Sequence, residues 1–307
     1  MFDFVNKKIR FFAISGVLIL ICIISLSSLG LKAGIEFSGG LQLTLSFNED
    51  VELGELKREL DNLGYGNAIV QQALGSGDFL VRTFELSTSE EVQLVNELAV
   101  IFGPLDSRSD DISPITARET TNITTIAIAI AAVGIMLYVT WAFRRMPKPF
   151  RYGTCAIIAL LHDALIALGV FSILSGILDW EINLMFITGI LAVIGYSVNN
   201  TVVIFDRIRD NLSRSEDDDF GVVVNNSLAE SLTRSINTSL TTIIVVLALL
   251  LFVGSTIQNF AVVLITGIIA GTFSSLFIAP LLLIVWENRE WPPFFRWLPF
   301  LKSNSRK

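Results

Sequence analysis

Apolar and polar positions alternate along the chain in long blocks. Phe11 to Leu31 is an uncharged run, and Ile123 to Phe143, Tyr152 to Leu178 and Ile182 to Phe205 are further runs of similar apolar character. From Ser235 to Trp286 no charged residue occurs in 52 positions. Roughly 20 apolar residues cross the hydrocarbon of a bilayer at a helical rise of about 1.5 Å. The 52-residue run therefore holds two spans, broken at Gly254-Ser255-Thr256-Ile257-Gln258-Asn259. The pattern predicts a polytopic protein with six transmembrane helices. A cleaved signal peptide competes for the first run, but its apolar region is usually about 7–15 residues long. The retained helix is the reading adopted, with residues 1–31 as N-terminus and first span.

Residues 32–121 have a different period. Leu41, Leu43, Leu45 and Phe47 alternate with Gln42, Thr44 and Ser46, as in a half-buried strand. Val51, Leu53, Leu56, Leu60 and Leu63 share one helical stripe. Ala68 to Leu74 and Asp78 to Phe84 flank Gly75-Ser76-Gly77, a hairpin signal. Thr88 to Glu91 offers a capping box for a second helix, which carries Val92, Leu94, Val95, Leu98 and Ile101 and ends at Gly103-Pro104. With a last strand near Ile112 to Ala117, the order β-α-β-β-α-β predicts a small α+β domain of split βαβ, ferredoxin-like type. It carries no His, Cys or nucleophile motif.

Charge separates the same two regions. Residues 31–122 hold 16 acidic and 6 basic residues, whereas the remainder holds 13 acidic and 16 basic. Outside the soluble domain every basic residue falls at the ends that six spans place on one side. A basic excess in short loops marks the cytoplasm, and a large translocated domain is exempt from the count. Both termini are thus expected in the cytoplasm and residues 32–121 in the periplasm. The spans then cover residues 122–286, and residues 287–307, with Trp291, Phe294, Phe295, Arg296 and Trp297, form an interfacial tail. Glu216 to Asp219 reads as a solvated loop. Cys22 and Cys155 both lie in apolar runs, which suggests neither a disulfide framework nor metal ligation.

The spans are not uniformly apolar. Ile187 to Ile194 is compatible with lipid, but Tyr196, Ser197, Asn199, Asn200 and Thr201 follow before Phe205-Asp206-Arg207. Polar groups at this depth belong against protein or water, and helix-to-helix hydrogen bonding is the alternative to a transport role. Asp163 lies about eleven residues into the third span, near the bilayer midplane, either as a functional carboxylate or as a structural hydrogen-bond acceptor. His162 beside it projects about 100° away on a helix, so the two need not share a face. Arg234 opens the fifth span, with Asn237 and Thr238 continuing its polar face. It is either a snorkelling boundary residue or the partner of a carboxylate.

With these residues in hand, the chain resembles the SecF branch of the SecD/SecF protein-export family, within the resistance-nodulation-division superfamily. The resemblance is carried by Gly34-Ile35-Glu36-Phe37-Ser38-Gly39-Gly40, Phe102-Gly103-Pro104, Leu161-His162-Asp163, the run Ile194-Gly195-Tyr196-Ser197-Val198-Asn199-Asn200-Thr201 through Arg209, and Ser231-Leu232-Thr233-Arg234-Ser235. It implies half of a twelve-helix complex completed by SecD, acting with the Sec translocon channel and the accessory proteins YajC and YidC. The complex would pull or release unfolded secretory polypeptides with the proton-motive force. It also implies proton-path or coupling roles for Arg234, Asn200, Asp163, Asp206 and Asn199, and structural roles for Gly34, Glu36, Phe37, Gly39, Gly40, Gly195 and Tyr196. The family pattern Tyr-Ser-x-Asn-Asp has a carboxylate where this chain has Asn200, and an amide does not titrate near neutral pH. A non-conducting scaffold is therefore one alternative. A small-molecule exporter of the same superfamily is another, less well matched because one repeat and about ninety outer residues leave little room for substrate pockets. No phosphate-cradling loop, metal cluster, cofactor motif or nucleic-acid patch is present in the sequence, so an enzyme or a nucleic-acid binder is not expected.

Overall fold

The computed structural model describes residues 3–73, 77–83, 86–142, 144, 148–214, 219–252 and 257–289. The glycine turn at 75–76, the acidic cluster at 216–218, the break at 254–256 and the aromatic tail from 291 lie outside the described residues.

Six helices are long and apolar enough to cross a membrane. They are α1 (Lys8–Ser28), α5 (Pro114–Ala142), α6 (Pro149–Leu178), α7 (Leu184–Arg214), α8 (Phe220–Phe252), and α9 (Gln258–Phe277) continued by α10 (Ala279–Glu287). Pro280 sits in the first turn of α10, where its missing N–H is tolerated, so the sixth span bends at Ile278 and runs on. The six-span architecture expected from hydropathy is the one found. His162-Asp163 does not interrupt the third span, because α6 runs unbroken through it. The polar stretch from Asp206 to Arg234 is mostly helix: α7 extends to Arg214 and α8 already begins at Phe220, so Arg234 lies well inside a helix.

α9 is the hub of the bundle, with its largest contact against α7 and others against α6, α8 and α10. Small residues make the closest approach possible. A Cβ on Gly267 would lie 2.0 Å from Val193 Cγ2, and one on Gly271 3.2 Å from Ser197 Cβ. Four residues apart on one face, these glycines let α9 lie directly on α7, as in small-residue packing of membrane helices. The stretch Ile187 to Ile194 therefore faces protein as well as lipid, since Gly189, Ile190 and Val193 are buried. By contrast α5 shows apolar side chains such as Ile126, Ile130 and Leu137 along most of its length, and α8 exposes Leu240, Ile244 and Leu251.

The soluble domain contains β2 (Gly40–Phe47), α3 (Leu53–Asn62), β3 (Ile69–Gln72), β4 (Phe79–Thr83), α4 (Thr88–Phe102) and β5 (Leu105–Ile112). The sheet order is β3-β4-β2-β5 with antiparallel neighbours throughout, so β3 and β2, joined by α3, have β4 between them. Leu41, Leu43 and Leu45 point into a core with Leu56, Leu60, Leu94 and Leu98, as the alternation requires. Two local expectations shift. The last strand is Leu105–Ile112, ahead of the expected Ile112 to Ala117. It is an edge strand of charged and hydroxyl residues with no apolar alternation to reveal it, and Pro114 starts α5. The capping box is Ser87 with Glu90, one residue earlier than expected.

Two short elements join the domain to the bundle. Lys32–Ala33 (β1) pairs in parallel with Glu181–Ile182 (β6). The short helix α2 (Ile35–Ser38) follows β1.

Candidate functional site

The glycine motif builds the junction. A Cβ on Gly34 would lie 2.6 Å from Ile182 O, so only glycine allows its N–H to reach that carbonyl at 2.8 Å. Gly39 and Gly40 take positive φ of 76° and 124°, turning the chain from α2 into β2. Glu36 accepts the backbone N–H of Leu184, the first residue of α7. Phe37 is half-buried. Charge then clamps the joint. Lys32 Nζ lies 2.5 Å and Lys57 Nζ 3.3 Å from the Asp179 carboxylate, and Arg82 pairs with Glu181 while also donating to Ala33 O and Ser38 Oγ. Gln71 donates to Asp179 O, and Asn259, at the start of α9, donates to Glu181 O at 2.8 Å.

A cavity of about 630 Å³ opens here, with Glu36, Glu181, Asp110, Asp111, Arg108 and Gln258 among its walls. The polar face of the sheet, Gln42, Thr44 and Gln71, forms its roof. Burial pushes Glu36 above the usual carboxylate range, and burial raises Glu181 as well, outweighing the attraction of Arg82. Asp179 is held below that range, first by the hydrogen bond from Lys32.

Half-way along α6, Asp163 is fully buried. Its Oδ2 accepts from Ser197 Oγ of α7 at 2.5 Å and Ser274 Oγ of α9 at 2.6 Å, and its Oδ1 lies 2.8 Å from His162 Nδ1. His162 and Asp163 project about 100° apart yet meet, because side-chain torsions bridge the angle between neighbouring Cβ directions. The seam continues through Thr201 to Ser275 at 2.9 Å, Tyr196 OH to Ser239 at 2.8 Å, and Ser239 to Thr272 at 2.6 Å. Hydroxyls thus join α6, α7, α8 and α9.

The sequence-predicted residues separate into three groups. Asp163 and Tyr196 belong to this network. Asn200 is buried beside it, yet its Nδ2 has no hydrogen-bond partner among the described residues. Asn199, Gly195, Asp206 and Arg234 are exposed. Asp206 pairs with Arg209 at 2.5 Å on the extension of α7, away from the seam. Arg234 shares its outward face with Asn237, Thr238 and Thr241, and its guanidinium meets no acceptor among the described residues. No hydrogen bond joins Arg234 to Asn200. Sequence reasoning missed Ser274 and Ser275, whose only signal is a pair of hydroxyls in an uncharged run. It also missed Arg82 and Glu181, which carried no signal at all.

The family model described as protein export membrane protein SecD/SecF, C-terminal, matches residues 99–289. The chain belongs to the SecD/SecF protein-export family. Among curated members it is similar to the protein translocase subunit SecF of Thermobaculum terrenum, 39% identical over 96% of this chain and 97% of that one. The same subunit of Anaerolinea thermophila is 36% identical over the same shares. A solved SecDF structure from Thermus thermophilus, titled a translocon-associated membrane protein, superposes with a TM-score of 0.83 at 30% identity and covers 94% of this chain. The chain spans 39% of that SecDF chain. A second SecDF structure, in a super-membrane-facing form, matches at a TM-score of 0.66 over the same 94%.

Proposed function

We propose that this chain is a SecF-type accessory subunit of the Sec export machinery, paired with SecD, which couples the proton-motive force to pulling or release of polypeptides on the periplasmic side. Both termini lie in the cytoplasm in this reading, and residues 32–121 lie in the periplasm of the inner membrane. The Sec channel, YajC, YidC and unfolded secretory chains complete the set of partners. The observation that carries the reading is Arg234. A guanidinium on an exposed face of a span, beside Asn237 and Thr238 and with no acceptor among the described residues, calls for an anion from outside the chain. A membrane carboxylate of SecD fits that need, because Asn200 supplies only an amide. A charge crossing 100 mV gains about 2.3 kcal/mol, which is enough to drive a conformational step when coupled.

The test is translocation into vesicles with and without a proton gradient. Arg234→Ala should abolish the gradient-dependent increment and leave the remainder. Asn200 favours a second reading, a non-conducting scaffold, under which Arg234→Ala and the gradient would both be without effect. Asn200→Asp separates the two further. Preserved or raised export supports conduction shared with SecD, and lost export counts against it.

A further inference from the structure

His162 is the only histidine of the chain and is not used by the reading above. It is 5% exposed, its Nδ1 lies 2.8 Å from Asp163 Oδ1, and its Nε2 has no hydrogen-bond partner among the described residues. We propose that His162 and Asp163 form one proton-binding site at the middle of the bundle, loaded at His162 Nε2. It rests on the proton-coupled reading above and places a titrating group in this chain itself.

All three neighbours of the Asp163 carboxyl can donate: Ser197 Oγ–H, Ser274 Oγ–H and the imidazole Nδ1–H. That set suits an ionised carboxylate and fixes the neutral imidazole with its proton on Nδ1, leaving the Nε2 lone pair bare. In this state the pair carries one uncompensated negative charge in a low-dielectric setting. A proton added to Nε2 forms imidazolium against carboxylate, with no bond broken and no net charge left. A buried ion of one sign is the costly alternative, so the neutral pair is favoured.

Among the described residues no other charge competes for that role. α1 carries none between Arg10 and Lys32, and its Cys22 Sγ donates to Ile166 O. On α6 the remaining charge is Arg151 and the other titratable side chains are Tyr152 and Cys155. α7 offers Tyr196, bonded to Ser239, and then only Asp206 onward. α9 has no charged residue, and α10 has only Glu287, which pairs with Lys148 and Arg151.

An apolar groove adjoins the site. His162 lines a groove of about 470 Å³ whose walls include Phe12, Ser15, Gly16, Leu161, Ile278 and Leu282. The groove is apolar apart from Ser15 and the imidazole, so it holds no standing water column, and transient hydration delivers the proton. Once the pair is loaded, the charge on Oδ2 that holds Ser197 and Ser274 is shared with the imidazolium. One serine is on α7 and the other on α9, so both helices feel the change.

A single histidine makes the test direct. The full chain, purified through a histidine-free tag, labelled with ¹⁵N-histidine and placed in lipid vesicles, is titrated by solid-state NMR. Nε2 should pass from bare to protonated as the sample is acidified, with Nδ1 protonated throughout. Asp163→Asn should weaken proton binding about tenfold or more. Ser274→Ala, which keeps the carboxylate but removes one donor to it, should strengthen proton binding severalfold. In vesicle export His162→Gln should remove the gradient-driven increment. An Nε2 that stays bare on acidification, or a titration unmoved by both variants, overturns the site. Absence of a gradient-driven increment in the unmodified protein would instead overturn the functional reading, whatever the NMR result.

Discussion

At the joint between domain and bundle, Asp179 and Glu181 are met by cations: Lys32, Lys57 and Arg82. Midway through the bundle, Asp163 is met by two serine hydroxyls and an imidazole. The first cluster borders water, where lysine and arginine keep part of their hydration while they pair; Lys32 and Asp179 side chains are 39% and 37% exposed. The second lies away from water, where hydroxyl dipoles and an imidazole take the place of hydrated cations. Carboxylates at the rim therefore act as a clamp whose strength depends on salt and pH. The carboxylate at depth acts as a fixed acceptor whose loss leaves three donors stranded.

That contrast can be broken most sharply at Asp163. Asp163→Ala orphans Ser197, Ser274 and His162 together, and a loss of about 3 kcal/mol or more is expected at about 1–3 kcal/mol per buried unsatisfied group. Thermal unfolding in detergent reads it directly, and an unchanged midpoint would refute the acceptor role. Next comes Arg82→Ala, which leaves Glu181 buried without its cation. Removing one partner of a buried pair costs about 3 kcal/mol, less where the carboxyl takes up a proton instead. The loss should be local, seen as faster hydrogen exchange at Lys32 to Gly34 and Glu181 to Ile182 with the Leu43 core still protected. Equal exchange across domain and bundle would contradict a hinge at this joint.

A smaller effect sharpens the pH side. Glu36 is raised by burial, so the folded joint holds a proton more tightly than the unfolded chain does. Its contribution is fully present below the ordinary glutamate range and is lost as pH rises through the raised value. Asp179, held low by Lys32, has the opposite sign: its contribution is present above the ordinary aspartate range and fades as pH falls through the depressed value. Glu36→Gln should hold the joint in its protonated form, protect Gly34 at neutral pH and flatten the dependence between neutral and mildly acid pH. A dependence that persisted unchanged would assign it to Glu181. The smallest change is Ser197→Ala, about 1 kcal/mol, since Ser274 and His162 still satisfy the carboxylate.

Much of the fold was legible because its signals are local. Leu41, Leu43 and Leu45 show the strand by alternation, and Phe11 to Leu31 shows a span by length. Where side chains do not carry the signal, the reading slipped. Leu105–Ile112 pairs through its backbone along an edge and reads as a polar loop. The helical extensions from Asp206 to Arg214 and from Phe220 to Arg234 carry no apolar run to mark them, because they leave the apolar zone. The site was half legible: an intramembrane Asp163 stands out by type, and Asn200 stands out against the family pattern. Nothing local says that Arg234 points away from Asn200, whereas the tie of Asp206 to Arg209 is an i,i+3 contact.

By itself the sequence determined that six segments partition into a bilayer, that one acidic module of about ninety residues does not, and which family motifs are present. These follow from transfer free energies and from residue type, which act on each segment separately. Only the tertiary structure decided which donors satisfy Asp163, because Ser197 and Ser274 lie 34 and 111 positions away and arrive through the close approach of α7 and α9 at Gly267 and Gly271. It likewise decided that Arg82 closes on Glu181, 99 positions away, through a two-residue parallel ladder. Such contacts depend on how helices and sheet pack against each other, and no one-dimensional pattern records that.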